Sequence, residues 1–383
     1  MRVLHVGKYF PPEPGGIERF LDALTLEQVR QGLEVTVLAH DRRRSDVESS
    51  AGRRVHRCRS HGQLMFTPLA PSWPMRLAQV IAEQQPDLLH LHLPNPSAFA
   101  ALLLPSARRL PWVLHWHADV PFDAEHAGLR LAYPMYAAFE RRMLARSAAV
   151  IATSDAYLNA SRALTGFRAR CHVVPLGLGP APPRGAARAW PADGLRVLAV
   201  GRLSYYKGFD RLIEAVAEVP DISLLIVGSG EQSTALQRLI DARGLGHRVS
   251  LQAGLNDADV EACYHACDVL CLPSIDRAEA FGLVLLEAMR AGKPVVASRL
   301  TGSGMVEVVA DGETGLQVAP GSVTELAGAL LRLRDDPELR SRLGAQARLR
   351  FEQRYTLPPV SEAVSRIYRS VVREAAAAPP AAD

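Results

Sequence analysis

The amino-acid sequence predicts an α/β protein made of two Rossmann-like, doubly wound domains. Three observations predict it. Apolar, β-branched runs alternate with helical patterns along nearly the whole chain, the signature of parallel sheets covered by helices on both faces. A length of 383 residues suits two domains at roughly 100–200 residues each. A proline- and glycine-dense stretch, Pro175-Leu-Gly-Leu-Gly-Pro-Ala-Pro-Pro-Arg-Gly185 continuing to Pro191-Ala-Asp-Gly194, separates two groups of strand-like runs and marks a linker.

The first group of strands is expected at Val3–Val6, Val35–Ala39, Leu88–Leu91, Val113–Trp116 and Val150–Thr153. The second is expected at Val197–Val200, Leu224–Val227, Val269–Leu272 and Val295–Ala297. These runs place an N-terminal domain at 1–175, the linker at 176–194 and a C-terminal domain at 195–356. A helix over 357–374 is expected to pack back on the N-terminal domain. The end, 375–383, is rich in alanine and proline, has no face to bury and is expected to be a disordered tail.

Composition excludes several classes of function. With 48% hydrophobic and 22% charged residues and a net charge of +4, the chain is neither disordered nor fibrous. Residues 1–180 carry 21 basic and 15 acidic side chains, whereas 181–383 carry 23 and 25, so the first half is the basic one. That surplus is too thin for a nucleic-acid stripe, and no nucleic-acid motif accompanies it. It fits an anionic membrane surface better, because Arg42 to Arg44 and Arg53, Arg54, Arg57 and Arg59 cluster around what reads as one loop. The stretch Tyr133 to Arg146 would add Arg141, Arg142 and Arg146 beside Tyr136, Phe139 and Met143. No run reaches about 18 apolar residues and no signal-peptide core opens the chain, which predicts a cytoplasmic protein, peripheral on the inner face of the membrane. Five cysteines in no framework spacing fit reduced thiols, and Cys263, Cys267 and Cys271 read as small buried positions rather than ligands. Of 44 basic residues only Lys8, Lys207 and Lys293 are lysine, which singles those three out.

Two glycine loops follow the opening strands of the two halves. Val3-Leu-His-Val-Gly7 leads to Gly15-Gly16, and Val197-Leu-Ala-Val-Gly201 leads to Lys207-Gly208, each before a helix. Helix N-termini present unpaired N–H groups that suit phosphate, although neither loop spells the dinucleotide fingerprint. The densest constellation is Pro273-Ser-Ile-Asp-Arg-Ala-Glu279-Ala-Phe281-Gly282-Leu283-Val-Leu-Leu-Glu287. It reads as a strand end, a loop and a helix beginning near Phe281, with Glu279 ahead of the helix and Glu287 about two turns beyond it. By position alone the glutamates serve either a ligand at the sheet's carboxyl edge or the helix terminus.

Two metal readings are weighed and set aside. His90-Leu-His92 and His115-Trp-His117-Ala-Asp119 put histidines two apart on strands, as in hydrolase metal clusters, but Val120 stands where the binuclear pattern needs a further histidine. Asp257-Ala-Asp259 follows Gly254-Leu-Asn256 and precedes a helix pattern, so it reads as capping and first-turn charge. No metal is expected.

Taken together, these motifs resemble the signature of retaining nucleotide-sugar glycosyltransferases of family 4, two-domain GT-B enzymes with a central cleft. The resemblance extends to Gly15-Gly16-Ile-Glu18, His115-Trp-His117-Ala-Asp119, Val174-Pro-Leu-Gly177, Gly201-Arg202-Leu-Ser-Tyr-Tyr-Lys207-Gly208-Phe, Val227-Gly228-Ser-Gly230 and Gly312-Glu-Thr-Gly315-Leu, in order over nearly the whole chain. It implies that Arg202 and Lys207 hold the diphosphate with the N–H groups of Phe281, Gly282 and Leu283. It implies that Glu287 accepts hydrogen bonds from the ribose, Glu279 grips hydroxyls of the transferred sugar, His117 lies near donor sugar and acceptor, and Gly15 and Gly16 let the backbone approach the phosphates. Catalysis is then expected from His117, Glu279, Arg202 and Lys207, with a nucleotide-diphosphate sugar as donor substrate, no prosthetic group and no metal. Tyr205-Tyr206-Lys207-Gly208-Phe209 and His115-Trp-His117-Ala-Asp-Val are similar to bacterial O-antigen and exopolysaccharide enzymes, often GDP-mannose or GDP-rhamnose users, with UDP-sugars as the other donor class and a lipid-linked or saccharide acceptor. A GT-B-like sugar epimerase or phosphorylase is the alternative activity.

Overall fold

The computed structural model describes residues 1–64, 67–120, 127–186 and 190–377, with no account of the side chains of 127–130 and 132. The chain divides into two units, Met1–Leu176 together with the segment from Leu357, and Gly177–Thr356.

The first unit is built on an eight-stranded sheet. Its strands are β1 (Arg2–Tyr9), β2 (Glu34–Asp41), β3 (Val47–Ser50), β4 (Arg53–Arg59), β7 (Leu88–Leu93), β8 (Trp112–Trp116), β9 (Ala149–Ala152) and β10 (Cys171–Val173), while β5 (Gln63–Leu64) and β6 (Thr67–Pro68) form a separate pair. The order is β10-β9-β8-β7-β1-β2-β4-β3, parallel except for β3 against β4. Parallel strands need crossovers, which here are mostly helical, and β7 and β8 are buried along their full length as a doubly covered sheet requires.

Register decides what lies on one face of this sheet. His5 of β1 pairs with His90 of β7, and His92 pairs with His115 of β8. Side chains alternate with period two, so His5, His90, His92 and His115 share a face, and His117 continues that row just past β8. Two helices supply partners above them, Gly16–Arg30 through Gln28 and Leu357–Ala377 through Tyr368. The latter helix buries Val360, Val364, Ile367, Tyr368 and Val371, one apolar stripe at helical spacing. It runs through 375–377, so the first part of the expected tail is helical; 378–383 lie outside the described residues.

Two expectations for this unit are corrected. Residues 53–59 are not a loop but β4, paired in parallel with β2. Arg53 and Arg57 are buried. Arg53 pairs with Asp22, while Arg57 reaches Glu48 at 2.7 Å, Asp41 at 3.4 Å and the Pro11 carbonyl at 2.7 Å. Buried, neutralised guanidinium groups offer nothing to a membrane, and Arg44 is also tied to Asp46 and Glu48. On the helix Ala127–Arg146, Tyr136 and Phe139 pack against Phe99 with ring centroids 5.3 and 5.5 Å apart, and Met143 is buried. These side chains serve the unit's own core, whereas Leu131 and Met135 are exposed.

The second unit carries β11 (Leu195–Val200), β12 (Ile222–Val227), β13 (Val249–Gln252), β14 (Val269–Leu272), β15 (Val295–Ser298) and β16 (Gly315–Val318). All pairs are parallel, in the order β13-β12-β11-β14-β15-β16. Its core joins the strands to the helix Phe209–Glu218 through Phe209, Leu212, Ile213 and Val216. The stretch read as a linker is hydrogen-bonded into this unit, through Leu178 N–H to Tyr355 O at 2.9 Å and Gly185 N–H to Ala258 O at 2.8 Å. Strand order reverses between β11 and β14, and ligands of open α/β sheets bind at the carboxyl ends of strands at such a switch point.

Candidate functional site

The loops leaving β11 and β14 meet at that switch point. Ile275 N–H donates to the Tyr206 carbonyl at 2.7 Å. Gly208, at φ 64°, comes so close that a Cβ there would lie 2.3 Å from the Pro273 carbonyl oxygen, so only glycine permits this junction.

The junction brings Lys207 and Glu279, 72 residues apart in sequence, into a buried ion pair. Glu279 also accepts from Ser274 Oγ at 3.2 Å, and its carbonyl accepts from Ser303 Oγ at 2.5 Å. Burial works against the Lys207 ammonium, but the Glu279 carboxylate and the Tyr206 phenol more than offset it, holding Lys207 above lysine's ordinary value. Lys207 therefore stays an ammonium with N–H groups to donate, its charge balanced by the Glu279 carboxylate. Arg202, two residues past β11, is exposed and makes no ion pair among the described residues.

Next to this pair, the helix Leu283–Arg290 begins two residues later than expected. Its cap, Gly282, has φ 82°, and a Cβ there would meet Leu285 Cδ1 at 2.9 Å and Leu272 Cδ2 at 3.1 Å. Among the described residues nothing accepts from the N–H groups of Phe281, Gly282 and Leu283, which leaves three donors at a positive helix end. Glu287, on the same helix, accepts from the buried Tyr264 hydroxyl at 2.5 Å. Sequence reading missed Tyr264, which belongs to no motif and reaches Glu287 only through the tertiary fold, and it gave no role to Ser274, although that residue lies within the quoted stretch before Glu279. The neighbouring Asp257 and Asp259 belong to a helix start, with Asn256 Oδ1 accepting from Asp259 N–H at 2.9 Å. Cys263, Cys267 and Cys271 are buried side chains of the helix end and β14.

In the first unit, Gly15 caps the helix Gly16–Arg30, and a Cβ on it would strike the Glu18 carboxylate. The histidine row forms a second buried cluster. His92 Nδ1 lies 3.0 Å from His117 Nε2, and His92 Nε2 lies 3.1 Å from His5 Nδ1. The rings of His115 and His117 stack at 4.2 Å. Burial lowers His5 and His117 to about 3, and it lowers His90, His92 and His115 well below the usual histidine value. All five are neutral at pH 7. Asp119 is turned to other partners, accepting from Trp116 Nε1 at 2.9 Å and Ser161 Oγ at 2.7 Å. Ligand atoms of His5, His90 and His92, and of His92, His115 and His117, lie within 4.8 Å of one another, so these are the described groups that could hold a metal. The hydrogen bonds among them already use several of the same lone pairs.

Comparison with known proteins gives the following. A family model described as "Glycosyl transferases group 1" matches residues 186–350, and one described as "Glycosyl transferase 4-like domain" matches residues 15–177. The chain is 28% identical over 388 residues to O-antigen chain mannosyltransferase C of Escherichia coli, covering 97% of this chain and 99% of that protein. It is 30% identical over 365 residues to D-rhamnosyltransferase WbpZ of Pseudomonas aeruginosa, covering 93% and 92%. The solved structure of sucrose-phosphate synthase from Thermosynechococcus elongatus superposes with a TM-score of 0.82 at 25% identity, covering 97% and 99%.

Proposed function

The chain belongs to the group 1 glycosyl transferases, enzymes of GT-B fold, and on that premise we propose that it moves a hexose from GDP-mannose or GDP-rhamnose to a lipid-linked or saccharide acceptor in bacterial cell-surface polysaccharide synthesis. UDP-sugars are the second donor class. The activities of the two relatives, mannosyl and rhamnosyl transfer, support the GDP-sugar reading.

The observation that carries the proposal is the buried Lys207–Glu279 pair beside the open helix end at Gly282. When the sugar–phosphate bond breaks, negative charge grows on the leaving phosphate, and donors already in place stabilise it without reorganisation. Lys207, Arg202 and the N–H groups of Phe281, Gly282 and Leu283 supply those donors. Glu279 holds Lys207 charged and keeps acceptor capacity for a sugar hydroxyl, while Tyr264 fixes Glu287 to receive the ribose hydroxyls. Gly15 and Gly16 admit the phosphates to the first unit's backbone, and His117 meets donor sugar and acceptor.

Transfer proceeds with retention by front-side attack. The anomeric carbon–phosphate oxygen bond breaks, the acceptor oxygen bonds on the same face, and the acceptor's proton passes to the leaving phosphate. No metal takes part. Among the described residues no helix is long and apolar enough to cross a membrane. A lipid-linked acceptor would be met at the cytoplasmic face of an anionic membrane, a reading supported by the exposed side chains of Arg141 and Arg142 on the helix Ala127–Arg146.

Nucleotide-dependent thermal stabilisation tests the donor assignment. A nucleotide at about 100 times its Kd adds about 2.7 kcal/mol. GDP is expected to raise Tm more than UDP or ADP, and equal shifts from all three would remove the GDP assignment. Trapping a covalent glycosyl-enzyme would contradict front-side attack.

A further inference from the structure

One line of hydrogen bonds crosses the first unit from the C-terminal helix to His117. It runs from Tyr368 of that helix through Gln28, whose amide is engaged at both ends. Its Nε2–H donates to the Tyr368 hydroxyl at 3.1 Å, and its Oε1 lies 2.8 Å from His5 Nε2, which must therefore donate. Tyr368, having accepted, passes its own proton toward His90 Nδ1. A neutral imidazole has one N–H and one lone pair. With the proton on Nε2, His5 offers a bare Nδ1 to His92 Nε2 at 3.1 Å, so His92 donates from Nε2. Its own bare Nδ1 then accepts from His117 Nε2 at 3.0 Å. His117 is left with a buried Nδ1 lone pair that has no partner among the described residues.

We propose that Gln28 is a positioning residue for the transfer reaction: acting through His5 and His92, it fixes His117 as the Nε2–H tautomer and presents Nδ1 as an acceptor for a sugar hydroxyl. The orientation of one amide sets the proton position three histidines away. Turning that amide would move each proton in the line to the other nitrogen and leave His117 with an N–H where a hydroxyl needs a lone pair. A lone pair takes a hydroxyl and repels a phosphate oxygen, so the device selects the neutral end of the substrate. The inference rests on the reading of His117 as a residue at the transferred sugar, and it gives the C-terminal helix a role in the site through Tyr368.

The test uses the full-length chain with 15N-labelled histidine, in which two-bond proton–nitrogen correlations distinguish the two tautomers. Wild type is expected to show His117 as Nε2–H. Gln28→Leu is expected to lose that pattern and to lower kcat/KM about tenfold, the worth of one hydrogen bond of about 1.4 kcal/mol. Gln28→Glu keeps an acceptor for His5 Nε2 and is expected to restore the wild-type tautomer. Tyr368→Phe removes one hydroxyl, leaves the amide free to turn and is expected to give a mixture of tautomers; it stands in if Gln28→Leu fails to fold. A His117 Nδ1–H in wild type, or an unchanged tautomer in both Gln28→Leu and Tyr368→Phe, overturns the proposal. So does stoichiometric binding of Zn2+ that replaces the tautomer pattern, since an ion on His92 and His117 takes the lone pairs of the line. Full activity in His117→Ala would instead remove the site reading beneath it, while the tautomer result would still stand.

Discussion

Acid should unfold the first unit well above the pH at which carboxylates titrate. Six of its histidines, His5, His40, His90, His92, His115 and His117, are buried and neutral, with burial as the largest cause of each lowered value. In the unfolded chain each titrates near 6.5, so below that pH the unfolded state binds protons that the folded state refuses. Stability must therefore fall as pH drops through 6.5. Between pH 7.5 and 5.5 each histidine costs about 1.4 kcal/mol, or about 8 kcal/mol for the set. Glu140 acts in the opposite sense. Burial, aided by Asp119, raises it to about 7, so the folded state gains a proton first, returning about 2 kcal/mol. The net loss of about 6 kcal/mol rivals the whole stability of a typical domain, about 5–15 kcal/mol. Asp41 and Glu48, held low chiefly by hydrogen bonds from backbone and Arg57 against the cost of burial, contribute only below about pH 4.5. Urea unfolding followed by tryptophan fluorescence reads this unit well, since Trp73, Trp112 and Trp116 are all buried in it. His115→Leu provides a control, because neither ring nitrogen of His115 has a hydrogen-bond partner among the described residues. That variant should recover about 1.4 kcal/mol of the pH-dependent loss. Equal stability of wild type at pH 7.5 and 5.5 would refute the reasoning.

Lys207→Ala and Glu287→Ala should keep a folded chain and lose most activity, the former by about 10²–10³ in kcat, as for other lost donors to a developing anion; steady-state kinetics beside a thermal melt checks both. Gly282→Ala should lower stability by about 1–3 kcal/mol, because the residue sits at φ 82° with Leu285 and Leu272 packed where a Cβ would go; denaturant midpoints measure it. Turnover should be unchanged in excess chelator, and a loss restored by magnesium would show that a metal belongs to the reaction.

Much of the architecture is legible because it rests on local pattern. β1, β2, β7, β8, β9, β11, β12, β14 and β15 announce themselves as Val-, Leu- and Ile-rich runs of doubly covered sheets. β4 hides because its arginines alternate with Val55 and Cys58, and a buried arginine is credible only once Asp22, Asp41 and Glu48 are seen beside it. β10, β13 and β16 are three or four residues long and interrupted by His172, Ser250 and Gln317, too short for periodicity to declare. In the site, Lys207, Glu279 and Glu287 stand out by motif, but the pairing of Lys207 with Glu279 depends on the β11–β14 register. Gln28 and Tyr368 lie 340 residues apart and meet only because the last helix returns to the first unit.

The most direct test of the central claim is acceptor-dependent release of nucleoside diphosphate from GDP-mannose by the purified chain, compared with Lys207→Ala. Release that requires the acceptor, yields a glycoside of retained configuration and nearly vanishes in a Lys207→Ala chain that still unfolds cooperatively is the predicted result. Conversion of the sugar nucleotide without any acceptor, or full turnover in Lys207→Ala, would contradict it.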